Sequence, residues 1–266
     1  MFELSYLKAK SLSEATSFLS THPEAKFLSG GMTLLPTLKQ RLARPTHLVD
    51  VSALAELGGI EAKGGQLVIG AITKHYEVAA SAVVRKVIPA LAYLAHQIGD
   101  QQVRNRGTLG GSVANNDPAA DYPSAVLALN ARIVTNKREI AADEFFQGMF
   151  ATALEDGEII VRVQFEVPRR AAYEKFRHPA SGYAMTGVFI AEFDTGTRVA
   201  VTGAGPGVFR WTDAEAALAK QLAPASLEPL VVDHTNLNQD IHASQEYRAN
   251  LVKVMAKRAL QKLLNT

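Results

Sequence analysis

The stretch Arg104 to Asp121, RNRGTLGGSVANNDPAAD, constrains this chain more than any other. It is rich in Gly, Asn, Asp and Pro, the residues of turns, yet it is far longer than a turn and carries the apolar Leu109 and Val113. The composition predicts an ordered loop, and ordered loops of this length usually serve a site. Within it, Thr108-Leu109-Gly110-Gly111-Ser112 sets a glycine pair between hydroxyls. A second pair lies some 80 residues upstream in Leu28-Ser29-Gly30-Gly31-Met32-Thr33. There the strand-like Lys26 to Leu28 meets a helix marked by Leu34, Leu35, Leu38 and Leu42, with Thr33 placed to cap it. Glycines let the backbone approach a ligand, successive amides converge, and a helix start adds partial positive charge. Taken alone, Gly30-Gly31 reads as a strand-to-helix turn. Two such segments can grip one long anionic ligand, and a pyrophosphate suits them better than a carboxylate.

Several chemistries are excluded. Gly111 is not followed by Lys-Ser/Thr at Walker A spacing, and neither pair satisfies G-x-G-x-x-G. Gly203-Ala204-Gly205-Pro206-Gly207 reads as a turn. There is no cysteine, so disulfides, thiolate nucleophiles and cysteine-held iron–sulfur clusters are absent from this chain. Any redox role requires a bound organic cofactor. The seven histidines show no H-x-x-x-H pattern, so no metal site is expected, and Ser112 has no evident histidine partner for hydrolase chemistry. Lys plus Arg number 28 against 26 Asp plus Glu, a net charge of +2 that argues for no nucleic-acid partner. With neither a basic leader before an apolar segment nor a run of about 20 apolar residues, the expectation is a soluble, cytoplasmic protein without integral membrane contact.

Residues 1–55 read as a small βαβαβ-like unit, with strands over Phe2 to Leu7, Lys26 to Leu28 and His47 to Val51 and a capping box at Ser11-Leu12-Ser13-Glu14. From residue 56 a Gly64-Gly65 hairpin precedes a strand over Leu67 to Ala71, Thr73 is placed to cap a short helix, and one amphipathic helix covers Val83 to Ile98. A helix over Tyr122 to Leu129, a hairpin, and a strand over Glu158 to Val167 follow. Pro168 marks a domain boundary, giving 1–168 and 169–266. The second part reads as three antiparallel strands, Tyr173 to Arg177, Ala184 to Asp194 and Arg198 to Thr202, with helices from Asp213 and Ser244. The fold class is α+β.

The segments SGGMTLLP at 29–36 and RNRGTLGGSVANNDPAADYP at 104–123 resemble AGGTxLxP and RNxGTxGGxxAxxDPAxDxP of the FAD-binding medium subunits of the molybdenum hydroxylase family, the group of carbon monoxide dehydrogenase and xanthine dehydrogenase. The likeness spans the whole chain. IGAITKHYEVA at 69–79, EIIVRVQFEVP at 158–168 and YEKFRHPASGYAMTG at 173–187 are similar to further family segments. The resemblance implies a two-part FAD-binding domain of the PCMH, vanillyl-alcohol-oxidase-like type over 1–168, followed by a small carbon-monoxide-dehydrogenase-flavoprotein-like C-terminal domain.

It also implies site residues. Leu28, Ser29, Gly30, Gly31, Met32, Thr33 and Leu34 would line the FAD pyrophosphate, and Thr108, Gly111 and Ser112 would form the second contact loop. Asp117 and Asp121 would meet ribose and ribityl hydroxyls; from the residues alone, Asp117 equally stabilises a turn and Asp121 caps the helix at Tyr122. Ile98 and the Ile160 backbone would lie by the flavin ring, with core packing the alternative for Ile98. Lys175 would set a positive charge near the ring, or be a surface lysine. Tyr183 would shield one flavin face, although Gly182 stands where relatives often carry Asp. Arg104 and Arg106 read as backbone-fixing groups.

The implied function is an oxidoreductase subunit carrying non-covalent FAD. Its partners would be an iron–sulfur small subunit with [2Fe–2S] clusters and a large subunit with the molybdenum cofactor, together a heterotrimer that can dimerise. A self-sufficient flavoenzyme of the same fold and a non-redox nucleotide-binding protein remain the alternatives.

Overall fold

The computed structural model describes residues 1–266. Ser5–Lys8, His47–Asp50 and Lys26–Leu28 pair in that order as a parallel sheet, with Ser5 opposite His47 and Lys26 opposite Leu48. Parallel neighbours need crossover elements, here the helices Leu12–Thr21 and Leu34–Lys39. The expected βαβαβ-like unit is present. Ser11 Oγ accepts from Glu14 N at 3.1 Å, but the Glu14 carboxylate takes Lys10 N, so the capping box closes one residue early. Ala15, Leu19, Val49, Val51 and Leu57 form a small core beneath it.

A five-stranded antiparallel sheet follows, ordered Ile60–Lys63, Gln66–Gly70, Ile160–Glu166, Arg132–Thr135, Glu139–Ala141. Ile160–Glu166 is central, its first residue sits at a register irregularity, and the flanking Ile159 and Val161 pack on the N-terminal unit. Two expectations fail against this sheet. The single helix over Val83 to Ile98 is two helices, Ala82–Val87 and Pro89–His96, because Pro89 has no N–H to continue the ladder and restricts Ile88 to φ −138°. Thr73 does not cap its helix; its hydroxyl donates to Gly59 O, and Lys74 occupies the N-cap position.

The expected loop over 104–121 is largely helical, with Gln101–Arg106 and Leu109–Asn115 capped by Asp100 and Thr108. Glycine disfavours a helix interior, but here packing decides. A Cβ at Gly110 would lie 2.5 Å from the Ala71 Cβ, so the helix can press against the sheet edge only with glycine at that position. Gly107 and Thr108 link the two helices, and residues 116–121 remain irregular between Asn115 and the helix Tyr122–Ala128.

The C-terminal sheet has four strands where three were expected: Arg170–Arg177, Ala184–Phe193, Gly196–Thr202 and the short Phe209–Arg210, which pairs with Val201 and Ala200. Strand alternation gives it two buried faces. Val188, Ile190, Val199 and Val201 pack on the helices Thr212–Lys220 and Gln245–Leu264, while Tyr173, Phe189, Ala191 and Ala200 join the main core around Leu91, Tyr122 and Leu127. The sheet is thereby fixed to the rest of the chain, and its first strand delivers Lys175 and the 178–183 segment to the site. No helix is long and apolar enough to cross a membrane.

Candidate FAD site

A cavity of about 600 Å³ opens between the parallel unit, the helix Leu109–Asn115 and the 181–183 segment, within the range of cofactor pockets. Every site residue inferred from the sequence reaches its wall except Lys175.

The first glycine segment is the donor-rich one. None of the amides from Ser29 to Leu34 has an acceptor in the fold, so six consecutive N–H groups are available around Gly31, whose φ is +71°. Such a concave run of unpaired amides is an anion cradle. Thr33 stands at the N-cap position of Leu34–Lys39 in helical conformation and leaves the cap unmade, contrary to expectation. Gly30 is required by contact: a Cβ there would run into the Arg106 carbonyl and lie 2.8 Å from the Gly107 Cα. The two segments therefore touch, and Ser29 Oγ and Thr108 Oγ1 complete the junction at 3.1 Å.

The second segment differs. Its helical amides are consumed: Leu109 N by Thr73 O at 2.9 Å, Gly110 N by Ala71 O at 2.8 Å, Gly111 N by Thr108 Oγ1 at 3.2 Å and Ser112 N by Thr108 O at 3.0 Å. It offers the cavity hydroxyls and close backbone, while amide donation belongs to residues 29–34.

Asp117 Oδ1 accepts Ala119 N at 2.9 Å, the turn contact weighed above, and the residue also lines the cavity. Asp121 begins the helix Tyr122–Ala128 without capping it. Its buried carboxylate instead accepts Tyr173 OH on Oδ1 at 2.5 Å and Lys175 Nζ on Oδ2 at 3.1 Å, the ammonium lying 2.8 Å from Oδ1 in the ion pair. Lys175 is no surface lysine and does not line the cavity. Its side chain is 3% exposed, and Nζ also donates to Gln97 O at 3.0 Å and Gly182 O at 2.9 Å, which uses all three protons. Burial pushes the Asp121 carboxyl up and the Lys175 ammonium down, and their mutual contact opposes both shifts.

Through the Gly182 carbonyl, Lys175 fixes the segment that carries Tyr183. Gly182 has φ +73°, a conformation open to Gly and tolerated by Asp, which accounts for the departure at this position. Tyr183 is 43% exposed on the cavity rim near Thr33, and burial with the Asp117 and Asp121 charges raises its phenol pKa. Arg104 Nη1 donates to Ile98 O at 2.9 Å and Gly99 O at 3.0 Å, a backbone-fixing role as expected, and so presents Ile98, which both lines the cavity and packs on the core. Arg106 contributes its carbonyl against Gly30. Ile160 lies on the wall at the strand irregularity.

Among the wall residues that sequence reasoning did not assign to the site are His75, Glu158 and Phe150. His75 is buried beneath the second segment with no partner for Nδ1; a Cβ on Gly107 would lie 2.5 Å from its Nε2. Burial, with Arg104 nearby, pushes it down to about 4, so it is neutral at pH 7. Glu158 accepts from Thr135 Oγ1 at 2.7 Å, Glu155 N at 2.8 Å and Arg138 Nε at 3.1 Å; burial raises it, and these bonds hold it below the ordinary carboxylate range. Phe150 projects from the hairpin Phe146–Thr152 onto the rim. A lone His after IGAITK, a Glu before a strand and a Phe in an apolar run carry no motif of their own. No group of three His, Asp or Glu side chains is arranged to hold a metal ion.

Residues 1–169 match the family described as FAD binding domain in molybdopterin dehydrogenase, and residues 171–263 match the CO dehydrogenase flavoprotein C-terminal domain. The chain is 32% identical to the glyceraldehyde dehydrogenase medium chain of Sulfolobus acidocaldarius over 98% of both chains. It is 33% identical to the carbon monoxide dehydrogenase medium chain of Hydrogenophaga pseudoflava, covering 96% of this chain and 95% of that one. A solved structure of the carbon monoxide dehydrogenase from that organism, in a form lacking the Mo-pyranopterin moiety of its molybdenum cofactor, superposes with a TM-score of 0.91 at 33% identity over 99% of this chain and 98% of the other. With two family matches in register along the chain and relatives of this identity over nearly its whole length, the chain belongs to the FAD-binding medium subunits of the molybdenum hydroxylases, the oxidoreductase family of the carbon monoxide dehydrogenase medium chains.

Proposed function

We propose that this chain is the electron-transfer subunit of a multi-subunit, cytoplasmic molybdenum hydroxylase, taking electrons from [2Fe–2S] clusters on a small subunit and delivering them to an external acceptor. The large subunit would carry the molybdenum cofactor and the substrate, and the three chains would form a heterotrimer that can pair with a second. The observation that carries this reading is the joining of a free-amide cradle to a long cavity in a chain without cysteine. FAD, when bound, supplies the exchange between single-electron and two-electron chemistry.

The residues divide the work of holding it. The amides of Ser29 to Leu34 bind the diphosphate, and Leu28 and Met32 border them. Thr108, Gly111 and Ser112 close the opposite side. Asp117 and Asp121 retain oxygen lone pairs for ribose or ribityl hydroxyls beside the donors they already accept. Ile98 and Ile160 give the ring an apolar wall, and Tyr183 excludes water from one side. The Lys175 charge acts from behind the wall, orienting Asp121 and the Tyr183 segment.

Neither glycine segment contains a His, Cys or Tyr for a covalent flavin link, so acid precipitation is expected to release all flavin into the supernatant as FAD, one per chain. Colour kept in the pellet, or FMN in the supernatant, would contradict the reading.

A further inference from the structure

Phe150 adopts φ +54°, left-handed backbone that a bulky residue enters only at an energetic cost. What holds it there is Asn116, itself at φ 44°. The Asn116 carbonyl accepts Phe150 N at 3.2 Å, and its Nδ2 donates to Gly148 O and Ala151 O, each at 2.7 Å. The clamp leaves Asn116 Oδ1 buried without a partner, a second cost. Both are borne to present a phenyl ring that the fold does not use: Phe150 is 57% exposed and joins no core cluster, whereas Phe145, immediately before the hairpin, is fully buried. A hairpin tip needing only its geometry is served by Gly or Asn. Phe150 lines the cavity assigned above to the dinucleotide.

We propose that Phe150 is a stacking platform for one planar ring of the dinucleotide held in this cavity, positioned by the Asn116 clamp. The proposal rests on the FAD reading above. An aromatic face on a constrained backbone loses little freedom on binding and gains contact with a planar heterocycle; base–aromatic stacking of this kind amounts to about 1–3 kcal/mol per ring, or about 5- to 150-fold in affinity. FAD offers two such rings, adenine and isoalloxazine, and both fit this chemistry.

The test uses the full chain, tagged and purified with whatever subunits accompany it, freed of flavin and titrated with FAD, ADP and FMN. Phe150→Gly removes the ring and also relieves the left-handed backbone, so fold and ligand should respond in opposite directions. FAD affinity is expected to fall at least about fivefold while the Tm holds or rises by about 2 °C. Phe150→Tyr is expected to restore affinity. A loss shared with ADP identifies adenine as the stacked ring, and one shared with FMN identifies isoalloxazine. Unchanged FAD affinity in Phe150→Gly overturns the proposal, as does loss of accompanying subunits with FAD retained, which would make the ring a partner contact. A fall in Tm matching the fall in affinity overturns it too, by assigning the ring to the fold. Absence of FAD binding in the unaltered protein would defeat the FAD reading itself, and this proposal with it.

Discussion

Replacing Lys175 with Met removes the cation facing Asp121 and puts nothing in its place. The two side chains are 3% and 4% exposed and 2.8 Å apart, so water cannot take over from the ammonium. Breaking a buried pair from one side costs about 3–5 kcal/mol, and Tyr173, the remaining donor to Asp121, covers only part of that. The stranded carboxyl escapes the penalty by taking a proton. Its folded pKa, already raised, rises further above the unfolded value near 3.9, so the native variant binds more protons than the unfolded chain in that window and loses stability as pH rises. Urea unfolding of Lys175→Met at pH 5 and pH 8 should therefore show the larger deficit at pH 8. Adding Asp121→Asn should recover most of it. Because Lys175 also anchors Gly182, part of its effect on FAD affinity should run through Tyr183, and Lys175→Met should weaken binding less once Tyr183→Ala is present. A deficit under about 1 kcal/mol at pH 8, an equal deficit at pH 5, or additive effects on FAD affinity would refute this reasoning.

His75, pushed from 6.5 down to about 4, resists charging in the native state, so its contribution is intact above about pH 6.5 and is lost as pH falls toward 4, about 3 kcal/mol across the window; unfolding of His75→Gln measured over this range should be correspondingly flatter. A Cβ at Gly111 would meet only Thr108 Oγ1, at 2.8 Å, and otherwise enter the cavity, so Gly111→Val should leave a folded chain whose FAD affinity, measured by titration, is lower by about tenfold or more. Gly30→Ala has backbone on the other side of the added carbon and should lower the Tm as well as FAD affinity.

The parallel unit was legible because its signals are local: the Lys26–Leu28 strand, the glycine pair and the leucines of the next helix follow one another within a few residues. The Val83 to Ile98 helix misled because periodicity runs smoothly through Pro89, while the backbone cannot. In 101–115 glycine composition masked two helices that contact with Ala71 and caps at Asp100 and Thr108 sustain. The site was legible through its motifs and much less through its electrostatics. Asp121 and Lys175 meet from 54 positions apart, and only tertiary structure shows that the lysine is spent on carbonyls and a carboxylate. The same holds for the division between the segments, since two similar glycine pairs differ in which amides the Ala71 and Thr73 carbonyls and the Thr108 cap have already taken.

The most direct test of the electron-transfer account is stopped-flow reduction of the intact complex with its own substrate, following iron–sulfur and flavin absorbance together, beside the same measurement on this chain loaded with FAD alone. The account predicts that cluster bleaching precedes or accompanies flavin reduction in the complex and that the isolated chain shows no substrate-driven reduction. Turnover of a small organic substrate by the isolated chain at an ordinary enzyme rate, on the order of 1 to 1,000 per second, would contradict it and make the chain a flavoenzyme in its own right.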